Sequence, residues 1–299
     1  MADIALLDEL VGILGTPEED PDDGPEVFIE GGDRAELVTT ADLLSRSRDV
    51  DPEDDPQSTY AHILVDEGQD ITPMQWRMLR RRGPQASWTI VGDPAQSSYP
   101  DQQETQRAMD EVVGRGKLRR FTLSTNYRSP SEVFNLAASV ITKVFPDADL
   151  PRAVRNTGID PLLATTEQAG LRDALRSHLL RLAGQVGGTI GVIVPPSRQQ
   201  DIQLFVMGDP RLRSFEDRIL VVTSLQAKGL EYDGVLVLSP DEIIAEAPNG
   251  VRVLYVALTR ATQRMITLDV DTSDWRKLLD KGGKGASAQP SKTRTSSER

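Results

Sequence analysis

The chain has 299 residues, 38% of them hydrophobic and 27% charged, a formal net charge of −12 and no cysteine. That length holds one large or two ordinary domains with a real core, and the missing thiols exclude disulfides and thiolate metal sites and fit a reducing cytoplasm. No apolar run approaches the roughly 18 residues of a membrane helix and the N-terminus is acidic, so neither membrane span nor signal peptide is expected and the protein reads as cytoplasmic.

The charge is unevenly placed. Residues 1–56 carry eighteen acidic side chains and three arginines, a net of −15, which leaves +3 for the rest; residues 276–299 carry seven basic groups and two acidic ones. Nucleic-acid binders normally show a basic face. This chain as a whole shows none, although a local groove stays open. The acidic leader reads either as a solvated segment or as an interaction arm.

In chain order, Asp3 to Leu14 places Ile4, Leu6, Leu7, Leu10, Val11 and Leu14 at helical spacing. So short a helix is marginal alone, and it is expected to pack on the body. Residues 16–34 and 49–58 are rich in Pro, Gly, Asp and Glu and read as loop, with a short helix at Thr40–Arg46 between them. Apolar runs then predict buried parallel strands at Ala61–Val65, Trp88–Val91, Thr189–Val194, Ile219–Thr223, Val235–Leu238 and Met265–Leu268. Helices are predicted at Pro73–Arg82, Gln103–Val113, Pro130–Val144, Leu171–Ala183, Arg198–Met207 and Val251–Ala261, and Pro146–Gly170 reads as loop. Alternation of this kind means an α/β fold with mostly parallel sheets. A boundary is expected near 115–122, and residues 277–299 read as a disordered tail.

Five segments carry candidate chemistry. The strand ending in Asp66-Glu67-Gly68-Gln69-Asp70 offers a carboxylate pair of the kind that holds magnesium and activates water, while strand-end Asp is also ordinary helix capping. Gly92-Asp93-Pro94-Ala95-Gln96 brings an amide to the carboxyl edge of the neighbouring strand, where open α/β sheets bind ligands, and is also plain turn chemistry. Asn126-Tyr127-Arg128-Ser129 can stack on a base and reach a phosphate, or fill a core edge and cap a carbonyl. Lys228-Gly229-Leu230-Glu231 offers a carboxylate for a ribose hydroxyl or a helix end. Leu254-Tyr-Val-Ala-Leu-Thr259-Arg260-Ala261 puts an Arg on the buried-looking face of an apolar helix, costly unless it meets an anion.

In this order the five segments resemble motifs II to VI of UvrD/Rep-type superfamily 1 helicases, over roughly residues 60–270. Thr72-Pro-Met-Gln-Trp-Arg-Met-Leu79 and Ala2-Asp-Ile-Ala-Leu-Leu-Asp8 narrow the resemblance to HelD-like proteins, which bind bacterial RNA polymerase. The resemblance implies ATP and Mg2+ as cofactors and roles residue by residue. Asp66 would hold magnesium, Glu67 would polarise the attacking water and Gln96 would contact the γ-phosphate. Tyr127 would stack on adenine and Arg128 would reach the γ-phosphate. Gly229 would belong to the nucleotide-binding loop, Glu231 would bond the ribose, and Arg260 would be the arginine finger.

Departures matter as much. No Gly-x-x-x-x-Gly-Lys-Ser/Thr loop occurs in the chain. The Ala usual in the Asp-Glu-Ala-Gln-Asp motif is Gly68, a change expected to be tolerated, and Pro100 stands where the helicases carry a base-stacking Trp. The expectation is therefore an acidic leader with short helices over 1–58, an incomplete first RecA-like domain over 59–118, a complete second one over 119–275 and a basic tail over 276–299. The implied function is the C-terminal portion of a HelD-like ATPase, inactive alone and acting on bacterial RNA polymerase. The alternatives are a catalytically inactive binding module, or a DNA helicase subunit completed by an upstream segment or another chain that carries the phosphate loop.

Overall fold

The computed structural model describes residues 2–14, 59–97, 99, 101–114, 118–247 and 249–279. The helix expected at Thr40–Arg46, the loops 16–34 and 49–58, and the tail from residue 280 lie outside them. The chain divides into two compact units, Met1–Arg120 and Phe121–Arg299. Both are α/β with parallel strands.

The first unit comprises α1 (Ala2–Leu14), β1 (His62–Val65), α2 (Pro73–Arg82), β2 (Ser87–Ile90) and α3 (Gln102–Val113). Thr72 starts α2 with a capping box: Gln75 N–H donates to Thr72 Oγ1 (3.3 Å), Thr72 N–H donates to Gln75 Oε1 (2.9 Å), and Pro73 takes the first helical turn. β1 and β2 pair in parallel from His62↔Ser87 to Val65↔Ile90. The pleat turns Ile63 and Val65 inward onto Trp76, which is fully buried and meets Trp88 edge-on at 6.4 Å. The opposite face is bare among the described residues, with Leu64 68% exposed. Parallel strands ordinarily have both faces covered.

Helix α1 docks through its polar side. Ala5 is buried, and Asp8 and Glu9 both pair with Arg81 of α2, Arg81 Nη1 lying 2.7 Å from Glu9 Oε2. Its apolar stripe points away from α2, with Ile4, Leu7, Leu10, Ile13 and Leu14 all exposed. The packing expected of this helix is thus made by ion pairs and the small Ala5, and not by its large hydrophobic residues.

The second unit runs β3 (Thr125–Pro130), α4 (Ser131–Val144), β4 (Arg152–Arg155), β5 (Leu162–Thr166), α5 (Leu171–Gln185), β6 (Ile190–Val194), α6 (Gln199–Gly208), β7 (Ile219–Thr223), β8 (Tyr232–Leu238), α7 (Pro240–Glu246), α8 (Gly250–Leu258) and β9 (Ala261–Val270). Its main sheet has the order β5-β9-β8-β6-β7, all parallel, and β3 pairs with β4 alone. Every residue of β6 is buried, as an uninterrupted Ile-Gly-Val-Ile-Val run demands of a central parallel strand. On one face Leu175, Leu179 and Leu182 of α5 and Ile202 of α6 meet Val192, Leu236 and Ile266. On the other α8 packs against α4 and α7.

Five elements differ from the reading of the sequence. The stretch Pro146–Gly170 contains β4 and β5, α7 was not expected, and the Asn-Tyr-Arg segment lies in strand β3. Both β4 and β3 are polar and largely exposed, so no apolar run marks them. α8 ends at Leu258, so Arg260 lies beyond the helix, directly before β9. Among the described residues no helix is long and apolar enough to cross a membrane.

Leu236 is fully buried in the centre of the main sheet. Leu236→Ala should lower the stability of the second unit by about 3 kcal/mol through lost burial and a cavity, read as a shifted urea midpoint at unchanged slope.

Candidate functional site

In the first unit the candidate residues collect at the carboxyl ends of β1 and β2. The chain leaves β1 through Asp66 and turns sharply at Glu67, which adopts the left-handed conformation (φ 52°) before a 3-10 turn over Gly68–Asp70. Glu67 N–H donates to Asp66 Oδ1 at 2.8 Å. A non-glycine residue at positive φ is a strained feature that concentrates at functional sites. Asp66 is exposed and offers a hard carboxylate oxygen, the donor type magnesium takes.

Gln69 joins the two strand ends. Its Nε2 donates to Glu67 Oε2 (2.6 Å) and Asp70 Oδ2 (3.3 Å), its Oε1 accepts from Asp93 N–H (2.9 Å), and its carbonyl accepts from Ser97 Oγ (3.1 Å). Asp93 in turn accepts from Ala95 N–H (2.9 Å) and from Gln96 Nε2 (2.7 Å), so the amide of Gln96 is held beside a carboxylate. Backbone bonds from Val91 N–H to Val65 O (2.8 Å) and from Gly68 N–H to Val91 O (2.9 Å) close the two loops onto each other. The close approach explains Gly68: a Cβ there would stand 2.7 Å from Ile90 Cγ2. The Gly that stands for the usual Ala thus sits where the two loops close on each other, and an added methyl would crowd the β-branched Ile90.

In the second unit the candidate residues gather at the amino ends of β8 and β9, with β3 alongside. Arg128 Nε lies 2.7 Å from Glu231 Oε1, a half-exposed ion pair that joins the Asn-Tyr-Arg segment to the Lys-Gly-Leu-Glu segment. Gly229 holds φ 74°, a conformation an L side chain rarely adopts, and sets Leu230 and Glu231 against the end of α8. Arg260 is 2% exposed; its Nε donates to Val256 O (3.0 Å), its Nη1 to Leu230 O (3.3 Å) and its Nη2 to Thr259 Oγ1 (3.2 Å). A cation on the last carbonyls of α8 satisfies orphan acceptors and complements the helix dipole. Tyr232 N–H donates to Arg260 O at 3.0 Å, completing the join between the two segments. Burial pushes the Tyr232 phenol up, and the nearby Arg260 charge pulls it partly back. Tyr127 projects outward, 75% exposed.

The structure therefore brings Asp66, Glu67 and Gln96 together in one unit, and Arg128, Gly229, Glu231 and Arg260 together in the other. Among the described residues no group of three or more His, Asp or Glu could hold a metal ion by itself. The sequence reading did not single out Gln69, Asp93 or Asn126 for what they do here. Asn126 Oδ1 accepts from Arg128 N–H (2.9 Å) and Ser129 N–H (3.2 Å), shaping the turn that presents Tyr127 and Arg128. All three lie inside the recognised segments, where the signal was present but unassigned.

Residues 32–102 match the UvrD/REP helicase N-terminal domain, and residues 218–266 match the UvrD-like helicase C-terminal domain. The chain is 32% identical over 126 residues to DNA helicase II of Escherichia coli (strain K12), a match that spans 39% of this chain and 17% of that protein. It is 31% identical over 123 residues to DNA helicase II of Haemophilus influenzae, again 39% of this chain and 17% of the relative. It is 37% identical over 65 residues to the RecBCD enzyme subunit RecB of Mycolicibacterium smegmatis, 19% of this chain and 6% of that subunit. The match over residues 32–102 overturns the reading of the chain as a C-terminal portion alone, since stretches similar to both helicase domains are present. The narrower likeness to HelD-like proteins and their polymerase finds no counterpart among these matches, and both are set aside.

The steric argument at Gly68 is testable. Gly68→Ala should destabilise the first unit by about 1–3 kcal/mol through overpacking, followed by the fluorescence of Trp76 and Trp88 during unfolding. An unchanged midpoint would mean that Ile90 moves aside freely.

Proposed function

We propose that the chain is a DNA-helicase-type nucleotide-binding module whose ATP site is completed by a polypeptide that supplies the phosphate loop. The observation that carries the reading is the pair of side-chain clusters: Glu67–Gln69–Asp93–Gln96 at the strand ends of the first unit and Arg128–Glu231 with Arg260 in the second. The resemblance assigns Glu67 to water activation, Gln96 and Arg128 to phosphate contact, Glu231 to ribose contact and Arg260 to the arginine finger, while Gln69 and Asp93 bond the first cluster together. Sequence identity to DNA helicase II supports DNA as the polymer acted on.

In this reading Asp66 holds Mg2+ and Glu67 orients the attacking water. In the first unit Gln96 contacts a γ-phosphate; in the second Tyr127 stacks on a base, Arg128 contacts a phosphate, Glu231 bonds a ribose, and Arg260 serves as the finger that stabilises charge on a transferred phosphoryl group. Mg2+, when bound, neutralises the developing charge on the β- and γ-phosphates. The 299 residues contain no Gly-x-x-x-x-Gly-Lys-Ser/Thr loop, whose Lys and backbone amides cradle those phosphates elsewhere. Two features support completion by another polypeptide: among the described residues one face of the β1–β2 pair and the apolar stripe of α1 are both exposed.

The chain alone should release phosphate from ATP at background rate and bind ATP weakly, at about millimolar Kd, equivalent to roughly 4 kcal/mol. Addition of the completing polypeptide should restore turnover, and Glu67→Ala should abolish it again. Steady hydrolysis by the chain alone that disappears in Glu67→Ala would show a site complete within these residues and sink the completion argument. Retention of single-stranded DNA that weakens steeply with salt checks the DNA arm of the reading.

A further inference from the structure

Arg155 ends strand β4, in a stretch that the sequence marks only as loop, and it belongs to none of the five segments. Two irregularities lie beside it. In the β3–β4 ladder Asn126 pairs with Ala153 and Pro130 pairs with Arg155, so Tyr127, Arg128 and Ser129 bulge out against Val154 alone. In the β8–β9 ladder Tyr232 pairs with Ala261 and Gly234 pairs with Arg264, so β9 carries an extra residue between them and Thr262 lies in that bulge. Bulges take backbone groups out of the ladder and re-aim side chains, and they favour the neighbourhood of functional sites.

Arg155 reaches both bulges with one nitrogen. Its Nη2 donates to the carbonyl of Arg128 at 2.5 Å and to the carbonyl of Thr262. The Arg128 N–H is held from the other side by Asn126 Oδ1 at 2.9 Å. The peptide groups flanking the Arg128 side chain are therefore fixed at both ends by side chains and not by the sheet. Thr262 follows Arg260 by two residues, so the same guanidinium ties the bulge that presents Arg128 to the strand that begins beside Arg260.

We propose that Arg155 is a positioning residue: it staples the β3 bulge to the β9 bulge and thereby aims Arg128 at the ligand. It touches no ligand itself. The proposal rests on the nucleotide reading of Arg128 given above. A guanidinium suits the task because it is always charged and offers several donors in a fixed plane, whereas an ammonium is a point charge with a flexible stem. Charge-assisted bonds to carbonyls are also the stronger kind.

The test is a double-mutant cycle on Mg-ATP binding by the full chain, titrated by saturation-transfer NMR. Arg128→Ala should raise Kd about tenfold and Arg155→Ala about fivefold, with no further loss when the two are combined, because one acts through the other. Arg155→Lys should recover part of the affinity. Thermal unfolding of each variant separates this from simple destabilisation, and Arg155→Gln, which keeps an N–H donor, takes the place of Arg155→Ala if the latter does not fold. An Arg155→Ala chain that binds as the parent does while Arg128→Ala is weakened overturns the positioning role and leaves the nucleotide reading intact. Losses that add in the double variant overturn it as well. Parental affinity in Arg128→Ala overturns the nucleotide reading and the proposal with it.

Discussion

The hydrogen bond from Tyr232 N–H to the carbonyl of Arg260 (3.0 Å) opens the pairing of β8 with β9, and the second unit's candidate site is built outward from it. Because the strands are parallel, the residues just before them, Glu231 and Arg260, emerge at the same edge of the sheet. Leu230 then stands where its carbonyl accepts from Arg260 Nη1 (3.3 Å), and Glu231 where it meets Arg128 (2.7 Å). Three segments that are distant in sequence are gathered by one register. A slip of one residue would turn every side chain of β9 to the other face, and the fully buried core positions of β8 forbid it.

The two units use opposite ends of their strands. Asp66, Glu67, Asp93 and Gln96 follow β1 and β2, the carboxyl ends where open α/β sheets ordinarily hold ligands. Glu231 and Arg260 precede β8 and β9 and so lie at the amino ends. An amino-terminal edge lacks the usual outward-splayed loops, and the second unit supplies their equivalent with a glycine at φ 74°, a capped helix end and two bulges. Each device puts irregular backbone next to the candidate residues and leaves the buried strands regular, the division of labour expected when a rigid scaffold carries a site.

What was legible in the sequence follows the same division. The core strands announced themselves because burial on both faces demands unbroken apolar runs: Ile219–Thr223 was read with its observed bounds, and Ile190–Val194 within a residue. The Thr72-Pro73 start of α2 was legible because a cap and a first-turn proline are local chemistry. The strands β3, β4 and β5 were not, since two are polar and exposed and the third sits at an edge between Pro161 and Glu167, where pairing and not burial makes the strand. The candidate residues themselves stood out as motifs. Their mutual bonds did not, because Arg128–Glu231 spans about a hundred residues and no local pattern encodes it. Arg260 shows the limit of reading burial from periodicity: it is buried, but as a cap on α8 and not as a member of its apolar face.

The internal bonding of these clusters bears on what a ligand would meet. Arg128 and Glu231 each keep nearly half of their side-chain surface, 49% and 43%, so their pairing is screened and worth at most about 1 kcal/mol. Under the proposed function, a phosphate that takes Arg128 and a ribose that takes Glu231 replace that one weak pair with two charge-assisted contacts, each stronger than the pair it displaces. The pair thus holds both side chains near their working positions at little cost to binding. Gln96 and Asp93 stand in the same relation, an amide on a carboxylate at 2.7 Å that a phosphate oxygen can take over. Arg260 differs, because its buried donors serve Val256, Leu230 and Thr259, groups that belong to the framework. Removing its guanidinium strands buried acceptors, so under the proposed function a loss of stability accompanies any loss of chemistry at Arg260.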